Sequence, residues 1–62
     1  MIWKARNEDG TLVQFPFCPW RDTDKMIWVM SMEGNPKWPG EPIKEDESTK
    51  DLTWEDAPIS VE

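Results

Sequence analysis

The chain has 62 residues, with thirteen Asp and Glu against seven Lys and Arg, a net charge of −6, one cysteine and no histidine. A chain this short buries only about 60% of the surface its unfolded form exposes, and it has neither a disulfide nor the Cys/His set of a zinc site to compensate. Its charge repels phosphates, which excludes direct nucleic-acid binding and makes a protein partner with a basic surface the better electrostatic match.

Five Trp and two Phe must supply most of the core. Met1 to Phe15 predicts a hairpin around Asn7-Glu8-Asp9-Gly10, with Gly10 as the left-handed residue. A three-residue loop, Glu8-Asp9-Gly10, sets Ala5 opposite Val13 and Trp3 opposite Phe15, gathering those four side chains on one face. A four-residue loop would set Trp3 opposite Gln14 and break the cluster. The other face carries Ile2, Lys4, Arg6, Leu12 and Gln14, a mixed surface expected to stay partly wet.

Pro16-Phe17-Cys18-Pro19-Trp20 reads as an extended crossover, since its two prolines cannot pair in a central strand. Cys18-Pro19 resembles the pair that some haem-sensing segments use as a thiolate ligand, but two residues define no site, and a small buried or half-buried thiol is expected. Arg21 to Asp24 reads as a polar turn. Lys25 to Met32 is the only long uninterrupted apolar run, and it places Met26, Trp28, Met30 and Met32 on one side of a strand and Ile27 and Val29 on the other. A strand apolar on both sides belongs in the middle of a sheet. It is the expected third strand of a meander, beside the first or the second.

From Asn35 to Pro42, prolines at every third position predict a polyproline-like arm or a pair of turns, with the spacing of a ligand for an SH3-type groove. Lys44 to Lys50 predicts a solvated charged loop, so that 36–50 together form a Pro-rich and then charged, mobile stretch within a single domain spanning 1–62. Leu52, Trp54, Ala57, Ile59 and Val61 return apolar side chains to the core. Thr53-Trp54-Glu55-Asp56 has capping-box spacing and predicts one helical turn, with a short strand over 51–55 as the alternative. Leu52-Thr53-Trp54-Glu55-Asp56-Ala57 resembles the turn before the terminal helix of chromodomains; the match covers six residues, the spacing from Trp28 departs from that family, and no ligand residue carries over.

The expected architecture is a mainly β, small single domain: a twisted antiparallel sheet or partial barrel of three or four strands, with a short carboxy-terminal helical turn or extra strand. Catalysis is poorly served without histidine, and no cofactor is expected. Asp22 with Asp24, or Glu45 to Glu47 with Asp51, lack the calcium-loop pattern, so no metal is expected either. The expected function is non-enzymatic binding. Asp22, Asp24, Glu45, Asp46 and Glu47 would dock on the basic surface of a partner while Trp20 and Trp38 supply buried hot spots. A phage or mobile-element inhibitor that competes for the phosphate-binding surface of a host protein would have this character. The alternatives are a structural or assembly subunit and a tryptophan cage for an alkylammonium ligand. No apolar run reaches the ~20 residues that span a bilayer, and no signal peptide is legible, so the expected setting is cytoplasmic, the host cytoplasm if phage-encoded, as a monomer or weak homo-oligomer.

Overall fold

The computed structural model describes residues 1–61, and among them there is no helix. The alternation on either side of Gly10 produces the first hairpin, β1 (Ile2–Arg6) and β2 (Leu12–Phe15). Its register is the one required by the three-residue loop, with Trp3 opposite Phe15 and Ala5 opposite Val13. Gly10 takes a φ of +96°, a backbone region that favours glycine.

Five further strands complete two antiparallel sheets: β3 (Trp20–Asp22), β4 (Ile27–Met32), β5 (Asn35–Trp38), β6 (Glu41–Pro42) and β7 (Ile59–Val61). The larger sheet has the order β6-β2-β1-β7, and the smaller β3-β4-β5. The Lys25–Met32 run therefore does become a central strand, but in a sheet of its own rather than beside β1 or β2. The two sheets meet across one core, in which Ala5, Val13 and Phe15 pack with Trp28 and Met30 while Trp3, Trp38 and Trp54 close the margins. Trp38 stands edge-on to Phe15 and Trp54 edge-on to Trp28, each at 5.7 Å between ring centroids. Val29, on the opposite face of β4, is also fully buried, so the central strand of this sheet is apolar on both faces, with β3 paired to its first half and β5 to its second.

The mainly β domain is as the sequence predicts, and several local expectations are corrected. Trp20 to Asp22 form a strand paired with Ile27–Val29, in which Arg21 stays exposed while its guanidinium covers the rings of Trp28 and Trp54, 4.8 Å from each ring centre. Met26 is not in the strand but in the preceding turn, with a φ of +58°. The proline-spaced segment is two short strands, not a polyproline arm. Pro36 and Pro42 are tolerated because β5 and β6 are edge strands, where a missing N–H breaks no inner ladder.

The charged run is held against the hairpin. Thr49 is completely buried, and its hydroxyl, with the Ser48 N–H and Oγ, donates to the Asp46 carboxylate. Asp56 accepts from the Thr53 N–H at 2.9 Å, as a capping box requires, yet the result is a turn, and the added strand comes later at β7 against β1. Among the described residues no terminal helix follows Ala57, so the chromodomain likeness ends at those six residues. Cys18 is exposed rather than half-buried.

Candidate functional site

Two turns are joined into one end of the molecule by a side chain that sequence alone could not place. Asn7 is buried, and its Oδ1 accepts the Trp28 N–H at 2.9 Å, while the Trp28 indole N–H donates to the Arg6 carbonyl at 3.0 Å. The Glu8 N–H reaches the Met26 carbonyl at 3.3 Å. The β1–β2 turn with Glu8 and Asp9 thus abuts the β3–β4 turn with Asp24. Arg6 brings in a third segment by donating to the carbonyls of Gly10, Thr49 and Leu52, which sets Asp51 beside the same end.

Glu8, Asp9, Asp24 and Asp51 are all exposed, and among the described residues none has a cation within ion-pair distance. Lys25 is the one cation of the two abutting turns. Asp9 is held below its ordinary carboxylate range, chiefly because its Oδ1 accepts the Thr11 N–H, so it stays ionised at any neutral or mildly acidic pH.

The sequence-predicted docking residues do not come together as one surface. Asp24 is at this acidic end. Asp22 is only 3% exposed: its Oδ1 accepts the Asp24 N–H, and its Oδ2 lies 3.5 Å from the Lys37 ammonium without the alignment of a hydrogen bond. That carboxylate is engaged within the fold. Trp20 is exposed on the same outer face of the smaller sheet, with Lys37 Nζ 5.9 Å from its ring centre. Trp38 is half-buried and committed to Phe15 on one side.

Glu45 and Asp46 bond back to the hairpin, to Arg6 at 2.6 Å and Lys4 at 3.0 Å, and Glu47 pairs with Lys50 at 3.2 Å. Their charge is largely answered at home. Glu8, Asp9 and Asp51 were not anticipated as site residues. Glu8 and Asp9 are visible in the sequence as turn residues, but their meeting with Asp24 depends on Asn7 bonding across a separation of 21 positions.

A groove of about 270 Å³ opens where β6 crosses β2, lined by Ile2, Gln14, Phe15, Pro16, Trp38 and Glu41. Gly40 packs closely on Phe15, one of the lining residues: a Cβ there would lie 2.6 Å from the ring. Ile2 and Phe17 are exposed apolar side chains, and Ile2 forms part of the groove wall. Among the described residues no three acidic or cysteine side chains converge on a point where a metal ion could sit. Among the described residues no helix is long and apolar enough to cross a membrane. No protein-family model matches the chain, and comparison with curated proteins and with solved structures returns no match.

Proposed function

We propose that the protein is a non-enzymatic binding module that docks through its acidic end on a basic surface of another protein. One observation carries the reading: of the carboxylates left without an ion pair among the described residues, which also include Glu33, Glu41, Glu55 and Asp56, several are gathered where two turns abut. Lys4, Arg6, Lys37 and Lys50 are ion-paired internally and the Arg21 guanidinium lies over two indoles, whereas Glu8, Asp9, Asp24 and Asp51 share one end without pairing. Unpaired, solvated carboxylates cost the fold little and raise the rate of encounter with a positive surface. Such an end could compete with nucleic acid for a phosphate-binding surface, as a phage or mobile-element inhibitor would.

The test is capture on the tagged protein from a nuclease-treated lysate of the source or host cell, washed at low and then moderate salt. A discrete partner should be retained at low salt, weakened by higher salt and displaced by added DNA. Combined Glu8→Lys, Asp9→Lys, Asp24→Lys and Asp51→Lys substitutions should abolish capture while leaving the far-ultraviolet spectrum unchanged. Undiminished capture by that variant would remove the acidic end from the interface.

A further inference from the structure

The groove between β6 and β2 has a chemistry different from that of the acidic end. Four of its six lining side chains, Ile2, Phe15, Pro16 and Trp38, are apolar or aromatic; Gln14 is neutral and polar; Glu41 is the only charged one. No cation lines the groove, and among the described residues Glu41 has no ion-pair partner. An apolar trough with one unanswered carboxylate in its lining complements a group with an apolar stem and a positive head. That is the build of a lysine side chain, whose methylenes bury well while its ammonium remains charged.

Size points the same way. At about 270 Å³ the groove falls below the ~300–1,000 Å³ of sites that enclose whole cofactors or drug-sized ligands, and it suits one side chain. Trp38 is already fixed by its 88° edge-to-face contact with Phe15, so little side-chain freedom would be lost on binding. An ammonium near its indole would gain a cation–π contact in addition to the Glu41 charge.

We propose that this groove is a binding site for an aliphatic ammonium group, occupied by a lysine side chain of the docking partner. The source of the lysine rests on the docking reading given above, whereas the groove's preference for the ammonium does not. The probes are therefore small: Nα-acetyl-lysine methylamide and its uncharged counterpart Nα-acetyl-norleucine methylamide, each titrated into the ¹⁵N-labelled full chain and followed by two-dimensional NMR. The lysine probe should shift the Trp38 indole and Gln14 side-chain amide resonances saturably. The norleucine probe, or the lysine probe with the Glu41→Gln variant, should bind about 3- to 10-fold more weakly, the size expected of one exposed charge contact assisted by an aromatic ring.

Equal shifts from both probes would overturn the proposal by showing an apolar trough with no preference for charge. Lysine-probe shifts confined to Glu8, Asp9 and Asp24 would overturn it too, as attraction to the acidic end alone. Because neither probe needs the partner, lysine selectivity in the groove can hold while capture from lysate fails, or fail while capture holds.

Discussion

The two faces of the first hairpin are covered in opposite ways. On the inner face, Ala5, Val13 and Phe15 are sealed by Trp28, Met30 and the flanking tryptophans, so that side is held by apolar area and close packing. On the outer face, Leu12 is just as buried, at 4% exposed, yet what lies across that face is the charged run. Lys4 meets Asp46, Arg6 meets Glu45, and the Arg6 guanidinium ties down the carbonyls of Thr49 and Leu52. One side depends on volume and the other on donors and acceptors at fixed points. A face that alternation alone marks as wet can therefore be closed when another segment supplies matching polar groups.

The largest effect should come from the apolar side. Phe15→Ala removes a fully buried ring that also supports Trp38, and should cost about 3–5 kcal/mol. For a chain of this length total stability is about 3–9 kcal/mol, so urea denaturation should find the variant near or past unfolding at room temperature. Gly40→Ala comes next. It would place a Cβ 2.6 Å from the Phe15 ring at a residue whose φ is +82°, and should cost roughly 2–4 kcal/mol from the backbone and the clash together.

On the polar side, Arg6→Met keeps the stem but leaves the Leu52 carbonyl without its side-chain donor and the Thr49 carbonyl with only the Leu52 N–H, at about 1–3 kcal/mol. Amide exchange in that variant should accelerate over residues 46–52 and leave Trp28 and Val29 protected. If Arg6→Met costs as much as Phe15→Ala, or loosens both faces together, the division between them is wrong.

The inner face was legible in the sequence because its information is local. Gly10 fixes the loop, the loop fixes the register, and Trp3, Ala5, Val13 and Phe15 then fall on one side. The outer face was not, since Lys4–Asp46 and Arg6–Glu45 join positions 42 and 39 apart and leave no periodic trace. The strand at Trp20–Asp22 was hidden for a similar reason: Arg21 looks like a turn residue until two distant indoles provide a place for its guanidinium. Proline misled over residues 35–42, where edge position rather than composition decides whether a strand can form. Of the candidate docking residues, the exposed turn position of Asp24 was legible, while Glu45 and Asp46 were indistinguishable from free surface charge until their cations were located.

The smallest effect tests how the charged run is held. The Asp46 carboxyl is kept well below its ordinary 3.8, first by the Ser48 side-chain hydroxyl and then by Lys4. A pKa depressed in the folded state means that the unfolded chain binds the proton more readily. The contribution is therefore complete above the unfolded value and is lost as pH falls through the folded one. The run should accordingly stay closed at pH 5 and begin to release only below about pH 4, near the ordinary carboxylate value, before the aromatic core responds. The Ser48 N–H donates directly to Asp46 Oδ1 at 2.9 Å, so its chemical shift reports the titration. Its midpoint should lie well below 3.8, rise in Lys4→Met and rise further in Ser48→Ala, because the hydroxyl is the larger cause. If Lys4→Met moves the midpoint more than Ser48→Ala does, the ion pair rather than the turn is what organises Asp46, and the outer face is held by charge attraction more than by placed hydrogen bonds.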